Sequence, residues 1–285
     1  MGEARTDTYK SHDGLTLFYR DYGDPASPAT PVICVPGLTR NSRDFTDLAA
    51  HLSSDRRVIC PDLRGRGFSD YDPDYKNYHP AAYAQDMFTL LDTLGIDRVI
   101  WIGTSLGGLI GFVVAAMKPE VLAGVVLNDV GPVVAEEGLE RIRAYTGKLP
   151  PVTSWEDAIQ QAKLVYGASL PDIAEDRWPV MVRNSYREGE DGVPRLDMDP
   201  KIGDAVRETA TPQGDPWGLW DRMADIPTLA IRGKLSDILD EPTFEEMAKR
   251  KPDLIRITVP NRGHVPLLDE PEALQAIDEF VAKIG

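Results

Sequence analysis

Residues 99–112 read VIWIGTSLGGLIGF, and this stretch decides the fold. An apolar run at 99–102 is followed by the small residues of 103–107, Gly-Thr-Ser-Leu-Gly, and then by a second apolar run. That order predicts a buried strand, a tight turn and a helix. Gly-x-Ser-x-Gly in this context is typical of a nucleophile elbow, whose strained turn exposes the serine hydroxyl above a sheet. We therefore predict that Ser105 stands at a helix N-terminus, where unpaired N–H groups favour developing negative charge.

Strands and helices alternate on both sides of this stretch. The predicted strands are a hairpin across 8–22 and segments at 31–35, 57–60, 99–102, 121–128, 226–232 and 254–259. The predicted helices lie near 42–52, 80–94, 240–250 and 271–284. Apolar strands separated by helices indicate an α/β fold with a mostly parallel sheet that is covered on both faces. Ligands of such sheets bind at the carboxyl ends of the strands.

Between the two halves of this pattern the strand signals vanish. From Gly131 to about Thr211 the chain carries charged helical stretches, prolines and scattered aromatic residues. We expect a mostly helical cap insertion at 132–212, between core segments at 1–131 and 213–285. Most of its aromatic residues should pack a small core of their own, and some should face a ligand.

Net charge and composition indicate which kinds of molecule the protein binds. The chain has 285 residues, with 31 basic and 46 acidic side chains and a net charge of −15. This field repels polyanions, which argues against nucleic acid and against anionic membrane surfaces. No apolar run reaches the roughly 18 residues that a membrane span requires. We expect a small-molecule substrate and a monomer or homodimer.

The positions of the cysteines and histidines argue against a disulfide and against a metal site. Cys34 and Cys60 lie in apolar strand-like runs, which favours buried free thiols in a reducing cytoplasm over a disulfide. No HExxH motif and no paired Cys or His at metal-ligand spacing occurs in the sequence. We therefore expect neither a metal nor a cofactor.

A serine nucleophile requires a general base, and the chain has four histidines. We assign His12 to a hairpin turn, His51 to the end of a surface helix and His79 to the start of a helix. His264 lies in a loop directly after the predicted strand at 254–259. That loop is at the same sheet edge as the serine, so His264 is the predicted base.

The base in turn requires a carboxylate that orients it. Asp237 follows the predicted strand at 226–232, and the chain order Ser105, Asp237, His264 suits this architecture. Asp129 also follows a strand end and is the alternative acid. We predict Asp237.

The predicted oxyanion hole consists of two backbone N–H groups. One belongs to Leu106, the residue after the nucleophile, and the other to Leu38, in the loop after the strand at 31–35. The remaining residues that we predict to line the substrate pocket are Gly37, Thr39, Arg40, Trp155, Trp178 and Val265. Among these, Arg40 is a candidate for contact with an acidic substrate.

Together these motifs resemble the α/β-hydrolase fold superfamily over essentially the whole chain. They are Pro36-Gly37-Leu38, Asp62-Leu63-Arg64-Gly65-Arg66-Gly67-Phe68-Ser69, Gly103 to Gly108, Arg232-Gly233 with Asp237, and Gly263-His264. The resemblance implies an eight-stranded sheet flanked by helices and a cap that shapes the pocket. Many members carry His-Gly where this chain has Pro36-Gly37, a change that alters the pocket floor but touches no triad residue.

The expected activity is a serine hydrolase that cleaves a carboxylic ester or lactone of a small to medium apolar substrate through an acyl-enzyme. The serine argues against the epoxide hydrolases and haloalkane dehalogenases of this superfamily, which use an aspartate nucleophile. Three alternatives remain open: a C–C bond hydrolase, an enol-lactonase, and a ligand sensor that keeps the triad without turnover.

Overall fold

The computed structural model describes residues 4–208 and 215–285. Its central element is a mostly parallel β-sheet. The strands within these residues are β1 (Arg5–Lys10), β2 (Thr16–Tyr22), β3 (Val32–Val35), β4 (Val58–Pro61), β5 (Val99–Thr104), β6 (Leu122–Asn128), β7 (Tyr186–Glu188), β8 (Pro194–Leu196), β9 (Thr228–Gly233) and β10 (Ile255–Val259). Eight of them form one sheet in the order β1-β2-β4-β3-β5-β6-β9-β10. β2 pairs antiparallel with β1 and β4, and the neighbours from β4 to β10 are parallel. The predicted α/β class and eight-stranded sheet are confirmed.

The central strands are buried on both faces because helices cover each side. Side chains alternate between two cores: Ile33 and Val35 of β3 belong to one, and Val32 and Cys34 to the other. Cys34 and Cys60 are both buried free thiols, as the sequence predicts. None of the helices in the described part of the chain is long and apolar enough to cross a bilayer.

The helices follow the predicted positions closely in the core. In the described residues they are α1 (Thr46–Leu52), α2 (Pro80–Leu94), α3 (Leu106–Met117), α4 (Glu136–Tyr145), α5 (Trp155–Tyr166), α6 (Arg177–Ser185), α7 (Ile202–Glu208), α8 (Trp217–Asp221), α9 (Glu241–Arg250) and α10 (Pro271–Ile284). α2 ends at Gly95, whose φ of 64° closes the helix. The helix predicted near 42–52 begins instead as a 3-10 turn at Ser42–Phe45, which leads into α1.

The segment between β6 and β9 contains α4 to α8 and a short hairpin. β7 and β8 pair antiparallel, with Tyr186 opposite Leu196. The sequence pattern misses this hairpin because each strand has only three residues. The segment has its own apolar cluster, which includes Ala158, Trp178 and Val182. The predicted end of the insertion, at residue 212, lies outside the described residues.

Candidate active site

Ser105 occupies the sharp turn between β5 and α3. Its φ of 51° and ψ of −112° are strained for a residue with a side chain. Gly103 and Gly107 make the turn possible: a Cβ on Gly103 would lie 2.4 Å from the Gly107 carbonyl oxygen, and one on Gly107 would lie 2.1 Å from the Val35 carbonyl oxygen. The glycines of the motif are therefore required by close backbone approach, and the turn has the geometry of a nucleophile elbow.

His264 meets the serine from the loop that follows β10. Its Nε2 lies 2.8 Å from Ser105 Oγ, within hydrogen-bond distance. The predicted pairing of these two residues across 159 positions of sequence is present in the structure. The other histidines lie elsewhere: His51 contacts Asp278, and His79 accepts a hydrogen bond from the Ala82 N–H at the start of α2.

Asp129 is the carboxylate that contacts His264. It follows β6 directly, has a φ of 57° and is 0% exposed. Its Oδ2 lies 2.7 Å from His264 Nδ1 and accepts a second hydrogen bond from Ser236 Oγ at 2.6 Å. Its Oδ1 accepts from the Gly233 N–H at 2.8 Å. The carboxylate is thus fixed by donors from three residues.

Asp237 is not the partner of His264, and this corrects the sequence prediction. Its carboxylate accepts hydrogen bonds from Nε and Nη2 of Arg141 on α4, at 2.6 and 2.8 Å. Burial disfavours ionisation of Asp237, but these bonds more than offset it and lower the pKa of the carboxyl. Both aspartates follow parallel strands that end at one sheet edge. In the loop after β9, Ser236 donates to Asp129, whereas the next residue, Asp237, binds Arg141 of α4.

Asn128 connects the segments that carry Ser105, His264 and Asp129 at one strand end. Its carbonyl oxygen accepts from the Ser105 N–H at 3.0 Å. Its side-chain Nδ2 donates to Thr104 Oγ1 at 3.1 Å and to the Pro266 carbonyl at 3.0 Å. Because Asp129 is the next residue, the three functional side chains share the end of β6 as a common support.

Two backbone segments border the space in front of Ser105. Leu106 begins α3, where helix geometry leaves N–H groups without an intrahelical acceptor. A Cβ built on Gly37 would lie 3.7 Å from the Ser105 Cβ, so the loop after β3 passes directly beside the nucleophile. These are the two segments from which the sequence predicts the oxyanion donors Leu38 and Leu106.

A cavity of about 240 Å³ opens in front of the serine. Of the residues that the sequence predicts for the pocket, Gly37, Thr39, Arg40 and Val265 line it, together with Leu38. Trp155 and Trp178 do not line it, which corrects their assignment. Trp178 is buried in the apolar cluster of the inserted segment, and Trp155 packs against that cluster and donates to Glu188 at 2.8 Å. Both tryptophans contribute large apolar surfaces to this small core.

The inserted helices contribute lining residues that the sequence analysis did not assign. They include Ile142 and Tyr145 of α4, Tyr166 of α5, and Met181 and Asn184 of α6. The three-residue spacing of Ile142 and Tyr145 indicates one helix face, but nothing in the sequence shows that this face covers the sheet edge. Burial raises the pKa of Tyr145, and the nearby Tyr166 raises it further. The Tyr145 hydroxyl is therefore neutral near pH 7.

The charged residues of the cavity are already paired. Arg40 donates from Nε and Nη2 to Asp44 at 2.6 and 2.5 Å. Burial disfavours the Arg40 cation, but Asp44 outweighs this and raises its pKa. Arg43 pairs with Asp197 at 2.5 Å. Arg40 is therefore not an unpaired cation awaiting an acidic substrate.

Comparisons with known proteins agree with this architecture. A family model for the alpha/beta hydrolase fold matches residues 30–271. The chain is 34% identical over 272 residues to 3-hydroxybutyrate-oligomer hydrolase of Cupriavidus necator, covering 93% of this chain and 92% of the relative. It is 27% identical over 246 residues to 2-(acetamidomethylene)succinate hydrolase of Mesorhizobium japonicum, covering 86% and 85%. The crystal structure of an alpha/beta hydrolase from Novosphingobium aromaticivorans is 43% identical, with a TM-score of 0.93 over 99% of both chains.

The fold and the site define a hydrolase architecture. The chain belongs to the α/β-hydrolase fold family.

Proposed function

We propose that this hydrolase cleaves a carboxylic ester or lactone of a small to medium apolar substrate through an acyl-enzyme on Ser105. The observation that carries the proposal is the continuous hydrogen-bonded line from Ser105 Oγ to His264 Nε2, at 2.8 Å, and from His264 Nδ1 to Asp129, at 2.7 Å. A serine, an imidazole and a buried carboxylate in this order are the groups that acyl transfer to water requires.

In the acylation half-reaction, Ser105 Oγ attacks the substrate carbonyl carbon and His264 Nε2 takes the hydroxyl proton. The C–O bond to the alcohol then breaks, and His264 returns the proton to the departing oxygen. In deacylation, water attacks the acyl-serine while His264 accepts a proton from it. Ser105 regains that proton as the carboxylic acid leaves.

Asp129 stabilises the imidazolium that forms at each step. It also holds the Nδ1–H tautomer, so that Nε2 is free to accept the serine proton. Its two further hydrogen bonds, from Gly233 and Ser236, fix the orientation of the carboxylate toward His264. The backbone N–H groups of Leu38 and Leu106 would stabilise the oxyanion of the tetrahedral intermediate.

The cavity supports an apolar substrate of limited size. Its volume of about 240 Å³ lies just below the usual range of small-molecule sites, which begins at about 300 Å³. Much of its lining is apolar: Leu38, Ile142, Leu170, Met181, Val265 and Leu267. The relative from Cupriavidus necator is named for an oligomer of a hydroxy acid, whose units are joined by esters. This supports including short hydroxy-acid esters among the candidates.

The test is hydrolysis of p-nitrophenyl esters of rising chain length, several lactones and the dimer and trimer of 3-hydroxybutyrate. Ser105→Ala serves as the control, and a fluorophosphonate probe reports on the serine without any assumption about the substrate. We expect turnover and labelling in the natural protein and neither in Ser105→Ala. Equal hydrolysis by the folded variant, or a natural protein that is inert toward both panel and probe, would overturn the proposal.

A further inference from the structure

Two buried arginines in the loop after β4 have opposite surroundings. The Arg64 guanidinium is 0% exposed and meets the carboxylates of Asp13, Asp72 and Asp86 at 2.6–2.8 Å. Arg66 is also 0% exposed, yet among residues 4–208 and 215–285 no carboxylate lies within ion-pair distance of it. Arg64 is therefore a structural cation with surplus counter-charge, whereas the charge of Arg66 is left without an ionic partner.

The groups that directly contact the Arg66 guanidinium in residues 4–208 and 215–285 are neutral. Its Nη1 donates to the Arg64 carbonyl at 2.7 Å and to the Tyr83 hydroxyl at 2.8 Å. Its Cζ lies 4.9 Å from the ring centre of Tyr83 and 5.6 Å from that of Tyr78. Nη2 has no hydrogen-bond partner in the described part of the chain. Dipoles and aromatic faces partly compensate a buried charge, but they do not neutralise it.

The remaining donor of Arg66 reaches the loop beside the nucleophile. Its Nε donates to the Leu38 carbonyl oxygen at 2.9 Å. On the other side of Leu38, the Gly37 carbonyl accepts from the Arg40 N–H at 3.2 Å. The peptide groups before and after Leu38 are thus both fixed by hydrogen bonds, and the loop that they fix runs past Ser105.

We propose that Arg66 is a positioning residue for the oxyanion site. It holds Leu38 in the orientation that turns its N–H toward the reacting carbonyl, and it places a positive charge without a direct ionic partner among the described residues behind that donor. This inference rests on the proposed function. A fixed charge in a water-poor site interacts more strongly with the oxyanion of the transition state than with the neutral carbonyl of the ground state. Arg66 therefore acts on kcat more than on KM.

The experiment compares Arg66→Met, which removes the charge and the donors, with Arg66→Lys, which keeps the charge but not the planar guanidinium. We expect Arg66→Met to lower kcat on the preferred p-nitrophenyl ester by about 10- to 100-fold, somewhat less than loss of an oxyanion donor itself. KM should stay within about twofold, because ground-state binding is untouched. Fluorophosphonate labelling of Ser105 should slow in parallel, and Arg66→Lys should recover part of both losses.

Met87→Ala is the matched control for a general loss of stability. Met87 is 0% exposed on α2 and belongs to the same apolar core, but it has no hydrogen bond to the loop at Leu38. Its substitution should lower the melting temperature while leaving kcat near the natural value. If Met87→Ala reproduces the kcat loss of Arg66→Met, or if the loss in Arg66→Met lies in KM alone, the inference is wrong.

The proposal can still be tested if Arg66→Met fails to fold. If Arg66→Met is insoluble, Arg66→Gln replaces it, since glutamine removes the charge and keeps a polar side chain with an N–H donor group. Natural kcat in folded Arg66→Gln and Arg66→Lys would overturn the role of Arg66 and leave the proposed function standing. A natural protein without Ser105 labelling or turnover would overturn the proposed function and this inference together.

Discussion

The carboxylate of Asp129 lies 2.7 Å from Nδ1 of His264, in a pocket that excludes solvent from the acid entirely. In the proposed mechanism, this contact makes Asp129 the acid that orients His264, at the end of the strand next to the one that leads into Ser105. It also gives Asp237 a different task, since that residue joins the loop after β9 to α4 through Arg141.

The first prediction separates the two aspartates. Asp129→Asn should lower kcat by about 10²- to 10⁴-fold, because the amide favours the wrong imidazole tautomer and cannot stabilise the imidazolium. Asp237→Asn should stay within about fivefold, since its lost partner is a partly exposed arginine. Steady-state kinetics of both variants on one ester decide the matter. Comparable losses in the two, or a greater loss in Asp237→Asn, would contradict the assignment.

The second prediction concerns the contact between α4 and the core. In a double-mutant cycle of Arg141→Met and Asp237→Asn, the two substitutions should couple by roughly 0.5–1 kcal/mol in the free energy of unfolding, since the pair is bidentate but partly exposed. Chemical denaturation of the four proteins measures this coupling. Lys163 and Glu175 form a more exposed pair and provide the control cycle, for which we expect a smaller value. Equal coupling free energies in the two cycles would contradict the prediction, because the Arg141–Asp237 pair would then stabilise the protein no more than an exposed surface pair.

The third prediction is a pH dependence of stability that arises from Asp13. Burial opposes ionisation of this group, but hydrogen bonds from Arg64 and Ser11 lower its pKa from 3.8 to about 2. The folded pKa lies below the unfolded one, so the stabilisation is present above about pH 4 and is lost as the pH falls toward 2. Asp13→Asn should therefore cost on the order of 1 kcal/mol at pH 6, after discounting for solvent screening, and much less near pH 2.5. Urea unfolding at the two pH values is the measurement, and a difference that does not shrink at low pH would count against this origin.

The fourth prediction tests the elbow. Gly107→Ala should abolish folding or lower stability by more than about 3 kcal/mol, because the added Cβ would lie 2.1 Å from backbone that cannot move independently of β3. Gly218→Ala is the control, since a Cβ there meets no atom of residues 4–208 and 215–285 within 4 Å. That substitution should be neutral or stabilise slightly, by up to about 1 kcal/mol. Thermal unfolding and soluble yield compare the two, and a stable Gly107→Ala protein would refute the steric argument.

The sequence predicts those parts of the fold that local physics determines. Gly95 ends α2 at the expected residue, and α10 spans the expected 271–284, because capping and helical periodicity are local signals. The positions of Ser105 and His264 follow from the rule that parallel strands end at one edge. That rule does not distinguish Asp129 from Asp237. The distinction depends on tertiary contacts of the loop after β9, in which Ser236 donates to Asp129 while Asp237 binds Arg141.

The inserted segment is less predictable for a related reason. Trp155 and Trp178 pack inside it, while Tyr145 and Tyr166 face the cavity, yet all four occur in amphipathic stretches of similar composition. Which face of each helix turns toward the sheet is decided by long-range contacts. Arg66 shows the same limit, since its motif contributes to the family resemblance but does not indicate which carbonyl its side chain reaches.

Ser105, the His264 loop and Asp129 are all attached to the end of β6. The side chains of the proposed triad and the inserted helices that line the cavity are therefore held by different parts of the fold. The groups that we propose to transfer protons are held by Asn128 and its neighbours, whereas α4, α5 and α6 contribute another part of the cavity lining. Substitutions on those helices can reshape the cavity without moving the atoms that exchange protons. Selectivity in this chain can therefore drift, or be redesigned, while the reaction chemistry is conserved.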